Sequence, residues 1–292
     1  ARLIYVGERA GKFRHVAEKS NAFDACHYIW AGKLRRYHGE SWLRRVTDLR
    51  TIALNIRDVL RLVVGSVQAV FLLRRIGPNS ILLKGGFVCV PVALAARLTS
   101  VPTLTHDSDA VPGLSNRIAA RWAKLHATGM PPEYYDYPKS STRYVGVPID
   151  RRFAKTSMSA ARKQLAIAKD ASVVLVTGGS NGARSLNEAA VAAFDELLRG
   201  EPGCVLLHQY GSGNEDQIGV LQERYPDQYK GMPYTDELFV YSAAADVVVT
   251  RAGASAVADF ASQQKACIVV PHPGLSGGHQ LKNAKVWDDQ GV

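Results

Sequence analysis

The sharpest chemical signal in the chain is an apolar run, Val173-Val174-Leu175-Val176-Thr177, broken by Gly178-Gly179-Ser180-Asn181-Gly182-Ala183-Arg184 and followed by a helical pattern. Glycines at that spacing let the backbone turn tightly and present N–H groups, and the helix that follows adds the partial positive charge of its first turn. Such a turn suits a phosphate, and a diphosphate in particular. It has neither the Gly-Lys-Ser/Thr of a Walker loop nor the spacing of a G-x-G-x-x-G dinucleotide fingerprint. A second turn of the same kind follows Asp246-Val247-Val248-Val249-Thr250, namely Arg251-Ala252-Gly253-Ala254-Ser255, and opens a helix bearing Asp259. Two such turns in one half of the chain suit a nucleotide-sugar, one facing the diphosphate and the other the nucleoside. Asp259 is then placed to accept hydrogen bonds from ribose hydroxyls. The plain alternatives are an ordinary tight turn at 178–184 and, for Asp259, a carboxylate favoured by the helix dipole.

The first half carries its own polar groups at strand ends. Lys84-Gly85-Gly86-Phe87 follows one strand pattern, and Thr105-His106-Asp107-Ser108-Asp109 closes the next, with Pro112-Gly113-Leu114-Ser115-Asn116 opening a helix. Polar and titratable side chains at the carboxyl ends of strands are where α/β proteins put binding and catalytic groups. Asp107-Ser108-Asp109 also spells D-x-D, which can hold a divalent cation. The two glycine turns of the second half already offer positive potential to a diphosphate, so no metal and no cofactor is expected.

These residues need a scaffold of strand, turn and helix, and the rest of the chain supplies that pattern. Short Val/Ile/Leu-rich runs alternate with longer helical stretches throughout, as in a parallel sheet wrapped by helices, so the fold class is α/β. Strands are expected at 3–6, 80–84, 101–105, 172–177, 203–208, 246–250 and 266–270, and helices at about 91–99, 115–125, 182–199 and 255–264. The 292 residues suffice for two domains. Gly146-Val147-Pro148 and the polar stretch 155–159 divide them into 1–152 and 153–292. Charge divides in the same place: 24 Lys and Arg face 11 Asp and Glu in the first part, against 12 and 15 in the second. Residues 33–75 alone hold ten basic and three acidic side chains, interleaved with Trp42, Leu43, Val46, Leu60, Val63, Val67 and Phe71. This basic amphipathic character suits an anionic membrane surface, and equally a pair of packing helices with solvated arginines. No run of about 18 apolar residues reads as a transmembrane span, and the chain opens on a strand pattern with no signal peptide. The dispersed Cys26, Cys89, Cys204 and Cys267 form no C-x-x-C pair, as expected of a reducing, cytoplasmic setting. No nucleic-acid-binding module accompanies the arginines, so nucleic acid is not an expected partner.

Taken in order, the motifs resemble the MurG family within glycosyltransferase family 28, across nearly the whole chain. Gly85-Gly86-Phe87 resembles its G-G-Y/F turn, and His106-Asp107-Ser108-Asp109 with Gly113, Leu114 and Asn116 resembles H-E-Q-N-x-x-x-G-L-x-N. Residues 146–150 resemble G-N-P-V-R, 178–187 resemble G-G-S-Q-G-A-R-x-L-N, and His208-Gln209-Tyr210-Gly211 resembles H-Q-x-G. Residues 251–259 resemble R-[SA]-G-A-x-T-x-x-E, and 277–284 the D-x-Q-x-x-N-A segment.

The resemblance implies a GT-B fold of two Rossmann-like domains facing a cleft. It implies an inverting transferase that moves N-acetylglucosamine from UDP to a polyprenyl-pyrophosphate-linked acceptor, the lipid I to lipid II step of peptidoglycan synthesis, and through it a part in cell wall, cell shape and division. It implies a donor site from Gly178, Gly179, Ser180, Asn181, Gly182, Arg251, Gly253, Ala254, Ser255, Asp259, His279, Gln280 and Asn283. Gly85, Gly86, Phe87 and Asp150 fall on the acceptor side, with His106 and Asp109 as candidate bases. The setting it implies is cytoplasmic, peripheral on the inner face of the cell membrane. Asp109 stands for the family's Asn, Asp150 for its Arg, Asp259 for its Glu and His279 for a Gln. Against the family pattern, a first strand with a G-G-T-G-G-H loop would precede Ala1, and a final strand and helices would follow Val292. Another glycolipid-forming enzyme of the family, or a non-catalytic nucleotide-sugar-binding subunit, remains an alternative.

Overall fold

The computed structural model describes residues 2–11, 14–33, 48–179, 182–274 and 278–291. Ser180, Asn181, Gly277 and the part of the basic stretch at 34–47 lie outside these. The chain divides into two compact units, Ala1–Gly146 and Val147–Val292.

In the first unit β1 (Ile4–Glu8) pairs in parallel with β2 (Ala25–Ile29), with α1 (Arg14–Lys19) between them in the chain. A four-stranded sheet follows, β3 (Ile81–Leu83), β4 (Thr103–Asp107), β5 (Leu125–Thr128) and β6 (Thr142–Tyr144), all parallel and in chain order. Parallel neighbours require crossovers, which here include α3 (Cys89–Leu98) between β3 and β4 and α4 (Leu114–Ala119) between β4 and β5. Between β2 and β3 runs α2, a 28-residue helix over Leu49–Ile76. Asp48 caps its start by accepting from the Thr51 amide, and Gly77 closes it in the left-handed conformation. One face of α2, with Ala69 and Leu73, joins Ile29, Leu83 and the buried face of α3 in the core of this unit. Gly65 lets the helix backbone lie against the Trp30 carbonyl, where a side chain would overlap that oxygen. The other face is open: Leu60 is 62% and Phe71 66% exposed, and Ile56, Val63, Val64 and Val67 are exposed too.

The second unit holds a five-stranded parallel sheet in the order β11-β10-β7-β8-β9, from β7 (Ser172–Thr177), β8 (Cys204–Gln209), β9 (Tyr229–Met232), β10 (Val247–Thr250) and β11 (Ala266–Val269). Its helices are α5 (Arg151–Lys155), α6 (Met158–Gln164), α7 (Arg184–Gly200), α8 (Gly219–Arg224), α9 (Leu238–Ala244), α10 (Ala254–Ser262) and α11 (His279–Asp289). Val173, Leu175, Leu207, Val248 and Phe260 are fully buried on one side of the sheet, and Val176, Leu206 and Leu221 on the other. Arg162 on α6 locks the amino-terminal edge. Its guanidinium donates to the Ala244 and Lys169 carbonyls and, through one nitrogen, to both carboxylate oxygens of Asp246 at 2.9 and 2.8 Å. Asp246 in turn accepts from the Val173 amide, so α6, β7 and the start of β10 share one buried guanidinium.

The α/β class with parallel sheets agrees with the expectation, and β7 has the expected bounds. Four strands, β2, β5, β6 and β9, were not expected; they are short and carry His27, His126, Arg143 and Lys230. The helix expected over 115–125 ends at Ala119, because Lys124 already donates to the Thr103 carbonyl and leads into β5. Within the basic stretch, Leu49–Ile76 forms one continuous helix, and the expectation of a second helix falls at 34–47, outside the described residues.

Beneath the second sheet, His208 is fully buried between Tyr229 and Asn187. Asn187 offers its carbonyl oxygen to Nε2, so that nitrogen carries the proton and Nδ1 accepts from the Tyr229 hydroxyl. Burial pushes the His208 pKa down to about 4. The unfolded chain, titrating near its ordinary value of about 6.5, therefore binds the proton that the folded unit refuses. Stability from this histidine is full above about pH 6.5 and is lost as the pH falls towards 4, about 3 kcal/mol in all. Urea unfolding followed by hydrogen exchange of the β8 amides should show that acid loss in the native chain and a flatter profile in His208→Gln; identical profiles would refute the account.

Candidate functional site

In the second unit the site is set by register. Thr250 at the end of β10 pairs with Thr177 at the end of β7, and Thr177 pairs with Gln209 at the end of β8. The two glycine turns therefore leave neighbouring strands at the same level. The chain after β7 crosses to β8 on one side, while β10 lies on the other, so the turns flank the point where strand order reverses. Open α/β sheets bind ligands at such a point.

The first turn is held from beneath. Thr177 donates through Oγ1 to Gln209 Oε1 at 2.7 Å and accepts from the Gly179 amide at 3.2 Å. The Gly182 amide closes the turn on the Gly179 carbonyl, with both glycines in the left-handed region at φ +84 and +69. Gly182 packs directly on the Tyr210 carbonyl oxygen, which any Cβ would overlap. Asn187 donates to that same carbonyl at 2.9 Å, so β8, the turn and α7 meet at one oxygen. Helix α7 then starts at Ala183 with no side chain capping it. The Leu186 amide closes on the Ala183 carbonyl, and the Arg184 and Ser185 amides make no hydrogen bond among the described residues.

The second turn is similar. Helix α10 starts at Gly253, again without a side-chain cap, and Ala254 is buried at its first position while Ser255 is exposed. Arg251 ties the turns together, donating to Ser185 Oγ on α7 at 2.6 Å and to the Val270 carbonyl at 3.3 Å, and its buried Nε has no partner among the described residues. Asn283, fully buried on α11, donates to the Ala252 carbonyl and so fixes the turn from the far side. Gln280 is buried and its Oε1 accepts from the His272 amide, which holds the loop after β11. That oxygen is thus committed to the chain itself. His279 begins α11 and buries an Nδ1 without a partner among the described residues. Asp259 lies in the second turn of α10, half-buried, and its Oδ1 accepts from the Asp150 amide at 3.2 Å. Burial moves its pKa upward, against the pull of that hydrogen bond.

Asp150, expected on the acceptor side, falls within the second unit. Its carboxylate caps α5 by accepting from the Arg152 amide and pairs with the Arg152 guanidinium at 2.7 Å.

The first unit gathers a different chemistry at the ends of β3 and β4. Gly85 and Gly86 form a left-handed turn at φ +91 and +85, and Phe87 is exposed with the Lys33 ammonium 5.7 Å from its ring centre. Asp107 is buried and accepts from Asn116 Nδ2 at 2.8 Å and the Tyr137 hydroxyl at 2.9 Å. Burial raises its pKa. Asp109 accepts the Tyr135 hydroxyl on its main-chain carbonyl. His106 is 5% exposed and has both ring nitrogens engaged, Nδ1 with Lys84 Nζ at 2.9 Å and Nε2 with the Gly146 carbonyl at 3.1 Å. Burial, chiefly, moves its pKa downward. A ring so committed has no lone pair to offer a substrate proton, which argues against His106 as the general base. Sequence reasoning did not single out Lys84, Tyr137, Thr177 or Arg162, since each acts through a partner distant in the chain. Among the described residues no group of three or more His, Cys, Asp and Glu side chains converges as a metal site.

The C-terminal domain model of glycosyltransferase family 28 matches residues 173–292, and the N-terminal domain model matches 45–128. The UDP-N-acetylglucosamine–N-acetylmuramyl-(pentapeptide) pyrophosphoryl-undecaprenol N-acetylglucosamine transferase 3 of Bacillus thuringiensis is 33% identical over 99% of this chain and 76% of its own length. The enzyme of that name from Desulforudis audaxviator is 34% identical over 82% of this chain; the match takes in 65% of that protein, so it falls short of two thirds of its length. Among solved structures, MurG of Acinetobacter baumannii superposes with a TM-score of 0.67 at 22% identity, covering 99% of this chain and 75% of that one. Anabaena HepE in complex with UDP gives 0.54 at 15% identity over 99% and 91%. These likenesses carry the fold, and the sequence match carries the family. The chain therefore belongs to glycosyltransferase family 28 and to the GT-B fold class.

Proposed function

We propose that this chain transfers N-acetylglucosamine from UDP-N-acetylglucosamine to an N-acetylmuramyl-pentapeptide carried on a polyprenyl pyrophosphate, the reaction in the names of its relatives. The observation that carries the reading is the alignment of Thr177 with Thr250, which brings two uncapped helix starts together at the strand-order reversal. The acceptor hydroxyl forms a bond to the anomeric carbon as the bond to the diphosphate breaks, and UDP leaves with the electron pair. Negative charge grows on the diphosphate, which the Arg184 and Ser185 amides and the partial positive charge at the start of α7 stabilise. Ala254 and Ser255 at the start of α10 take the nucleotide, and Asp259, whose Oδ1 holds the Asp150 amide, offers its other oxygen to the ribose. The hydroxyl proton needs a base. With His106 engaged at both nitrogens, Asp109 is the candidate of the two.

The membrane belongs to the same proposal. On α2 the exposed Ile56, Leu60, Val63, Val67 and Phe71 recur at helical spacing, flanked by Arg50, Arg57, Arg61, Arg74 and Arg75, while the one acid on the helix, Asp58, is buried. No described helix is long and apolar enough to cross a membrane. An apolar stripe rimmed by arginine suits the cytoplasmic face of an anionic bilayer, where the lipid-linked acceptor resides.

Three outcomes are expected. UDP-N-acetylglucosamine at about a hundredfold over its Kd should stabilise the fold by about 2.7 kcal/mol, a rise of roughly 5 °C or more in Tm, and UDP-glucose should do less; no shift at saturation would sink the donor assignment. Gly182→Ala should weaken UDP binding about tenfold or more by pushing the turn off the Tyr210 carbonyl, and an unchanged affinity in a titration would mean that the turn does not hold the diphosphate. Co-sedimentation should be stronger with phosphatidylglycerol-containing vesicles than with neutral ones and drop in Leu60→Asp/Val63→Asp. Equal sedimentation in all cases would remove the membrane role.

A further inference from the structure

We propose that Lys84 is a positioning residue of the first-unit site: its ammonium fixes the His106 imidazole as the Nε2–H form and ties it to Ser108, between Asp107 at the end of β4 and Asp109 in the loop that follows. The consequence for turnover rests on the transferase reading; the tautomer assignment does not.

Two independent contacts require the same form of the ring. A protonated lysine has only donors, so the nitrogen that faces Lys84 Nζ at 2.9 Å, Nδ1, must supply a lone pair. A carbonyl oxygen has only lone pairs, so Nε2, 3.1 Å from the Gly146 oxygen, must carry the hydrogen. Reversing the tautomer would set hydrogen against hydrogen on one side and lone pair against lone pair on the other. Protonating the ring fully would turn Nδ1–H towards an ammonium. A second hydrogen of Lys84 goes to Ser108 Oγ at 2.9 Å, which joins the end of β3 to the loop after β4.

Groups from several elements face this pair. From the end of β4 comes the carboxylate of Asp107, held by Asn116 of α4 and by Tyr137. Burial moves the Lys84 pKa downward, and the attraction of Asp107 and of Asp109, two residues on, opposes that and favours the ammonium. From β5, His126 stacks on Tyr137 with ring centres 4.2 Å apart and shares a hydrogen bond with Thr105 Oγ1, and Tyr135 packs parallel to Tyr137. Burial and the Lys84 charge disfavour a cationic His106, while the Gly146 carbonyl and Asp107 act the other way. Gly146 is the last residue of the first unit and lies in the left-handed region at φ +77, so the ring also pins the end of that unit.

The test uses protein labelled with ¹⁵N at histidine, with His106 assigned by loss of its signals in His106→Gln. In the native chain His106 should show a protonated Nε2 and an unprotonated Nδ1, with a titration midpoint below that of an exposed histidine. Lys84→Met should release the ring: both tautomers appear and the titration midpoint rises by about one pH unit. Lys84→Arg, which again offers only donors, should keep the native form. Lys84→Gln, able to accept as well as donate, serves as a second neutral variant should the methionine protein fold poorly. In transfer assays Lys84→Met should lower kcat/KM for the lipid acceptor about tenfold and shift the acid limb of its pH profile, with Lys84→Arg restoring both. An unchanged His106 tautomer and midpoint in Lys84→Met and Lys84→Gln would overturn the proposal, as would a native ring protonated at Nδ1. Failure of the transferase reading would show elsewhere, as absence of UDP-N-acetylglucosamine binding by the native chain.

Discussion

The second unit depends on one close approach, the backbone of Gly182 lying against the carbonyl oxygen of Tyr210. That contact decides where the turn after β7 runs, and hence where the first amides of α7 point. It is possible only without a side chain. The oxygen is also bound by Asn187 from α7 and by Asn214 from the following loop, so it is a shared anchor for three segments. Beneath it, Thr177 bridges Gln209 and the Gly179 amide, which turns strand register into loop geometry. Gly179 and Gly182 are thereby fixed at either end of the turn, which sets where α7 begins and presents its first amides to charge developing on a diphosphate.

How much of this could be read from the amino-acid order depends on the range of each interaction. Strand β7 was legible because a continuous Val and Leu run buried on both faces has few other uses. The glycine turns were legible because only glycine tolerates their backbone. Strands β2, β5, β6 and β9 were hidden by their polar residues, and those residues are stable in place only through partners far along the chain. His126 bonds to Thr105, and Lys230 donates to the Leu165 carbonyl, 65 residues away. The same limit applies to the site. His106 at the end of β4 was conspicuous, but its partners lie 22 residues before and 40 after it, and they change its chemistry from a candidate base to a fixed neutral donor. Gln280 and Asn283 were legible as residues; that they hold backbone at His272 and Ala252 was not.

The two units solve the problem of polar groups at strand ends in different ways. In the second, the buried groups near the turns are mostly neutral: Thr177, Gln209, Asn187, His208 and Tyr229 exchange hydrogen bonds in pairs. Neutral groups that are fully paired cost little to bury and leave the field of the helix starts unscreened by fixed counter-charge. In the first unit the corresponding positions carry ionisable groups, Lys84, His106, Asp107 and Asp109, packed with two tyrosines. Such groups shift one another's proton affinity, which suits handling an acceptor hydroxyl better than gripping a leaving diphosphate.

This contrast also accounts for the places where the chain departs from its family's pattern. Asp109 stands where an asparagine would be and adds a negative charge, yet Lys84 lies close enough for the two to attract. Asp150 stands where an arginine would be, and the cation reappears two residues later as Arg152, whose guanidinium grips the new carboxylate at 2.7 and 2.9 Å and holds its pKa below the usual range. Asp259 is shorter than the usual glutamate and reaches the Asp150 amide with one oxygen, so the first residues of the second unit and α10 are drawn together by the shortened side chain itself. In each case the local charge or reach is made up within a few ångströms by a neighbour that also fixes backbone. Each of these carboxylates thus takes its charge balance or its contact from a neighbour that the order of residues alone does not reveal.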